Sequence, residues 1–138
     1  MAVTVRPIAE FLGDEKILRR VPQEMLPLAE RRLPWTGYLG FDGDQLIGMC
    51  GFKDEPKDGA VEIAYFTFPE NEGRGYATGM AYCLVDFAKE SQETHTVVAH
   101  TLKEESASTT ILRRLGFEFQ GEVVDPEDGS VWRWTQLT

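Results

Sequence analysis

The stretch Thr67-Phe68-Pro69-Glu70-Asn71-Glu72-Gly73-Arg74-Gly75-Tyr76-Ala77 decides how this chain is read. Upstream, Ala60 to Phe68 is β-branched and aromatic with Glu62 as its only charge, which predicts a core strand buried on both faces. Downstream, Ala77, Met80, Ala81, Leu84 and Ala88 recur at helical spacing. A core strand therefore runs through a glycine turn straight into a core helix. Glycines 73 and 75 allow a sharp turn with bare amides, and the first N–H groups of a helix have no internal partners, so several donors converge on one anion. A diphosphate fits such a cradle. No Lys-Ser or Lys-Thr follows the glycines and no third glycine completes a dinucleotide fingerprint, which disfavours a mononucleotide-binding α/β domain.

A second ordered segment follows, Glu105-Ser106-Ala107-Ser108-Thr109-Thr110-Ile111-Leu112-Arg113-Arg114-Leu115-Gly116-Phe117. Together the two segments resemble the GNAT superfamily of acyl-CoA-dependent N-acyltransferases. The family's phosphate loop reads Gln or Arg, two residues, Gly, one residue, then Gly or Ala, and Glu72 to Ala77 fits all but the first position. Val61-Glu62-Ile63-Ala64-Tyr65 before the loop, Gly-Tyr-Ala-Thr within it and Ala-Ser before the second helix are most similar to the branch that acetylates ribosomal-protein N-termini. The resemblance spans nearly the whole chain, from Val3 to Leu137.

Length and composition agree with it. At 138 residues the chain reads as one domain, residues 1–138, and about 65–70% of the unfolded surface is buried at this size, enough for a core without staples. Cys50 and Cys83, the two cysteines, lie in apolar runs that give no disulfide framework and no metal site, as expected of a reducing cytoplasm. Met1 to Gly13 lacks the cationic start and apolar run of an export signal, and Asp86 interrupts the apolar stretch from Met80 well short of a membrane span. The net charge of −9 argues against nucleic acid, which demands a basic stripe. It suits steering of amines or basic peptides, and equally a merely soluble surface.

Along the chain, Val3 to Arg6 predicts a first strand, and Ala9 to Arg20 and Gln23 to Arg32 two short helices parted by Pro22. Trp35 to Phe41 and Gln45 to Phe52 alternate around Asp42-Gly43-Asp44 as a hairpin. After the loop helix, His95 to Thr101 predicts a strand, Ser108 to Leu115 a helix stopped by Gly116, and the remainder two strands around Asp125 to Gly129. The expected fold is a mixed α/β, mostly antiparallel sheet of six to seven strands with about four helices. The crossover helix makes the strands from Ala60 and His95 parallel. In the GNAT fold that central pair splays into a V-shaped cleft.

By resemblance, acetyl-CoA is the cofactor. Phe66, Thr67 and Phe68 would hold its pantetheine arm through main-chain groups, as an added strand would be held. Gly73, Arg74, Gly75, Tyr76, Ala77 and Thr78 would hold its diphosphate. Lys103, Arg113 and Arg114 are further basic residues near the second motif. Trp35, Trp132 and Trp134 read as core or as cover for the acceptor cleft.

Transfer of an acetyl group to an amine needs a polarised carbonyl, a proton acceptor and a proton for the departing thiolate. A main-chain N–H near Tyr65 would polarise the carbonyl. Leu112 stands where many of these enzymes place a tyrosine acid, which leaves Ser108, or Ser108 as a helix cap alongside Ser106. For the base, Glu62 leads as the lone acid of an apolar strand, with Tyr65 next and His100 also able to titrate near neutrality. Glu72 in place of Gln or Arg, Glu105 in place of Asn and Gly79 in place of Glu depart from the pattern. The expected partner is a small-molecule amine or a peptide N-terminus, with a homodimer allowed and neither nucleic acid nor membrane. The alternative reading is a non-catalytic acyl-CoA-binding module of the same fold.

Overall fold

The computed structural model describes residues 2–138. Seven strands form one sheet: β1 (Val3–Pro7), β2 (Gly37–Asp42), β3 (Gln45–Phe52), β4 (Ala60–Thr67), β5 (Thr96–Thr101), β6 (Glu118–Asp125) and β7 (Gly129–Leu137). Their order across the sheet is β1-β2-β3-β4-β5-β7-β6. Every neighbouring pair is antiparallel except β4 with β5, which are parallel. Among the described residues no helix is long and apolar enough to cross a membrane.

Helices α2 (Tyr76–Glu90) and α3 (Ala107–Arg114) share one face of the sheet. Met80, Ala81, Leu84 and Ala88 of α2 and Leu112 of α3 are fully buried there with Ile47, Val97 and Trp134. On the order of 2 kcal/mol accompanies each such large apolar side chain removed from water. Trp35 and Trp134 are both inaccessible, while Trp132 is half-buried on β7. Gly79 has a packing reason in α2, because a Cβ there would lie 2.7 Å from Val3 Cγ2 of β1.

The other face is covered only in part. Ile8, Phe11 and Val21 of the N-terminal segment pack on Leu39, Phe41 and Met49 of the β2–β3 half. Two regular helices were expected in this segment. Instead it holds a 3-10 turn at Ile8–Phe11, one helical turn at α1 (Glu15–Leu18) and a 3-10 stretch at Gln23–Glu30. Gly13, at φ +101°, breaks the first helix, and Pro27 inside the second region withholds an N–H and crowds the preceding turn.

Because cover stops short of β4, this strand is not buried on both faces as its composition predicts. Val61 and Ile63 are buried, whereas Ala64 and Phe66 on the opposite face are exposed. Strand β4 pairs with β3 as far as Thr67, but with β5 only through Ala60↔Thr96, Val61↔Val97 and Glu62↔Val98. Beyond Glu62 the two parallel strands diverge. That divergence leaves one edge of β4, from Ile63 onward, without a strand partner.

Candidate active site

Three hollows meet at Tyr65, just past the point where β4 and β5 part. The largest, about 600 Å³, runs between the end of β4, the glycine loop and the first turns of α2 and α3. This size falls within the ~300–1,000 Å³ usual for small-molecule sites. Gly73 and Gly75 adopt φ of +80° and +82°, a conformation that glycine takes without a Cβ clash. Among the described residues, no main-chain N–H from Gly73 to Thr78 donates to a backbone acceptor. Gly73, Gly75, Tyr76, Ala77 and Thr78 all line this cleft, together with Tyr65, Phe66, Thr67 and Ser108.

Phe68 and Arg74, also expected to hold the cofactor, are not among the residues lining this cleft. Phe68 is buried in the second core cluster; its N–H donates to the Ile47 carbonyl (3.0 Å) and its carbonyl accepts from Asn71 (2.8 Å). Arg74 is exposed and does not form part of the cleft wall. Of the other basic residues, Arg114 lines the cleft. Arg113 is committed to Glu105 (2.5 and 2.7 Å) and Lys103 to Glu122 (3.5 Å). Glu105 therefore serves α3 itself, and the Arg113 hydrogen bond holds its carboxyl down at about 2. Glu72 does face the cleft. The Tyr76 hydroxyl donates to Asp42 (2.6 Å), which ties the start of α2 to the β2–β3 turn and raises the phenol pKa.

The two serines separate cleanly. Ser106 is the N-cap of α3: its hydroxyl accepts from Thr109 N–H (3.4 Å) while Thr109 Oγ1 accepts from Ser106 N–H (3.0 Å). Ser108 caps nothing and faces both the large cleft and a second, polar hollow. Tyr65 lies beside it. Burial pushes the Tyr65 phenol up, partly opposed by hydrogen bonding with the Ser108 side chain. Leu112, at the tyrosine position, is fully buried and offers no polar group.

The polar hollow, about 210 Å³, is lined by Lys53, Glu62, Tyr65, His100, Ser108 and Asp128. Glu62 is half-buried rather than solvated, and its Oε2 lies 3.2 Å from Lys53 Nζ and 3.2 Å from His100 Nδ1. Asp125 Oδ1 approaches the same His100 nitrogen at 3.8 Å, and Asp128 Oδ2 lies 3.3 Å from Lys53. Burial alone would pull the Lys53 ammonium down, but Glu62 and Asp128 outweigh it and the net shift is upward. The Asp125 carboxylate is held low because it accepts from the main-chain N–H groups of Asp128 (2.9 Å) and Glu127 (3.0 Å). Neither ring nitrogen of His100 makes a well-directed hydrogen bond. Glu62, His100 and Asp125 place ligand atoms within 4.8 Å of one another, yet the nearby Lys53 already supplies a positive charge to the Glu62 oxygen.

Sequence reasoning named Glu62, Tyr65, Ser108 and His100, and the structure gathers all four around this hollow. It missed Lys53, Asp125 and Asp128, whose charges sit on hairpin segments distant in sequence. It also missed the third hollow, an apolar one of about 170 Å³ lined by Met25, Leu28, Met49, Cys50, Ala64 and Phe66 among others. Sheet register and the packing of the Gln23–Glu30 stretch bring these residues together, so no local pattern could have revealed them.

The comparisons agree with this geometry. A family model described as the acetyltransferase (GNAT) domain matches residues 7–118. The chain is 29% identical over 85 residues to the uncharacterized N-acetyltransferase p20 of Bacillus licheniformis, covering 61% of this chain and 48% of that protein. It thus matches about half the length of that relative. Among solved structures, yncA of Salmonella typhimurium with its cofactor acetyl-CoA superposes with a TM-score of 0.72 at 19% identity, covering 99% of this chain and 94% of the other. The spermidine/spermine N-acetyltransferase SpeG of Vibrio cholerae gives 0.74 at 17% identity, with 99% and 95% covered.

Proposed function

Since the chain belongs to the GNAT acetyltransferase family, we propose that it is an acetyl-CoA-dependent N-acetyltransferase that modifies a primary amine by direct attack in a ternary complex. One observation carries this reading: the unpartnered amides of Gly73 and of Gly75 through Thr78 line the same cleft as the unpaired edge of β4. The amides suit a diphosphate and the open strand edge suits an amide-bearing arm, which is the donor pattern of coenzyme A.

Bound there, acetyl-CoA supplies an acetyl group activated as a thioester. A main-chain N–H near Tyr65 polarises its carbonyl oxygen, without need of any particular side chain. Glu62 accepts the amine proton, directly or through one water, with Lys53 fixing its carboxylate. Ser108 donates the proton that the sulfur needs, and Tyr65, kept protonated by burial, stands behind it as a donor rather than a base. Cys50 is no acyl carrier, because burial pushes its thiol far up and leaves no thiolate at neutral pH. Two unpaired cysteines and a need for acetyl-CoA support the cytoplasm as its location.

Mixing the protein with acetyl-CoA and a panel of primary amines should release free thiol in step with acetylated amine. Glu62→Gln should lower kcat about 10²-fold or more while CoA affinity holds. Failure to bind CoA at all would overturn the assignment, and tight CoA binding with no transfer would instead favour an acyl-CoA-binding module.

A further inference from the structure

We infer that the acceptor is a monoamine bearing one compact apolar group of about four to seven carbon atoms, and that the third hollow holds that group. This rests on the transferase reading above and narrows it.

Position is the first argument. The apolar hollow lies between the Gln23–Glu30 stretch, the end of β3 and the open face of β4. It shares Tyr65 and Phe66 with the large cleft, and Ala64, Tyr65 and Lys53 with the polar hollow. An amine attacking at Tyr65 with its nitrogen toward Glu62 would therefore turn its carbon body into this hollow.

Size and lining come next. Its apolar walls are Met25, Leu28, Met49, Ala64 and Phe66. The volume is about 170 Å³, and an apolar cavity of ~150 Å³ accommodates benzene. A branched aliphatic or phenyl group fills it; a hydroxylated or charged one would bury polar atoms without partners.

Charge then excludes polyamines. The carboxylates that would receive a second ammonium, Glu62 and Asp128, are already paired with Lys53 at 3.2 and 3.3 Å. Lys53 also borders the apolar hollow. A second cation would meet that ammonium on one side and an apolar wall on the other.

The test compares isoamylamine, phenethylamine, ethylamine, ethanolamine and spermidine, with leucinamide and glycinamide to separate free amines from peptide-like acceptors. Isoamylamine or leucinamide should exceed its small or polar counterpart by at least 100-fold in kcat/KM, since each methylene in such a site is worth ~10-fold or more. Ala64→Leu, which fills the hollow, should collapse the isoamylamine to ethylamine ratio by 10-fold or more, and Leu28→Ala should move the preference toward longer chains. Spermidine or glycinamide matching isoamylamine, or a ratio unmoved by both substitutions, would overturn the inference. Calorimetry of isoamylamine with the CoA-loaded protein reads the same preference without turnover. Absent turnover therefore counts against the transferase reading, while binding that ignores the apolar group counts against this one.

Discussion

Ser106 and Ser108 stand two residues apart and do different work. Ser106→Ala removes an N-cap, and should cost about 1 kcal/mol in urea unfolding with kcat unchanged. Ser108→Ala should do the reverse, lowering kcat with no shift in the unfolding midpoint. From the sequence either serine could cap the helix, because both precede the same run of helix formers. The capping geometry with Thr109 separates them, and that geometry depends on where the first helical turn begins. Glu62 was legible for a simpler reason, as a lone charge in an apolar strand. Its partners were not legible, since Lys53, His100 and Asp125 arrive from β-hairpins and a parallel neighbour whose register no single segment encodes.

Among the elements, α2 makes the sharpest prediction. Gly79→Ala would gain about 1 kcal/mol of helix propensity, but its Cβ would fall 2.7 Å from the branched Val3 side chain. Overpacking of this kind costs ~1–3 kcal/mol, so the substitution should lower the melting temperature, and Val3→Ala in the same chain should restore most of the loss. The boundaries of α2, β3 and the β6–β7 hairpin were readable because periodicity and turn residues agree there. The N-terminal segment was harder. Its apolar residues are spaced as a helix would space them, yet Gly13 and Pro27 interrupt the backbone ladder, and packing on β2 and β3 holds the shorter turns in place. Strand β4 misled in the other direction: its composition is that of a doubly covered strand, while one face is left open.

Across the whole molecule, Tyr38 sets an alkaline limit. Its buried hydroxyl donates to the Pro34 carbonyl at 2.8 Å, and burial pushes its pKa up to about 12, against ~10 in an unfolded chain. A raised folded value means the contribution is fully present below about pH 10 and lost as pH climbs through 12. The loss is on the order of 2 to 3 kcal/mol, visible as a falling urea midpoint that Tyr38→Phe should make shallower, with the buried Cys50 thiol leaving a residual fall. At the acid end the depressed Glu105 carboxyl behaves oppositely, keeping its pairing with Arg113 until pH falls toward about 2.

Tyr65 borders all three hollows, so an occupant of the large one becomes a wall of the other two. On the proposed reading, the amine chamber would be incomplete while the thioester is away. Reaction order follows: acetyl-CoA should add before the amine, and the deacylated carrier should depart last. Product-inhibition patterns should show CoA competing with acetyl-CoA but not with the amine, and random addition would reveal itself by equal amine affinity for the empty and loaded enzyme.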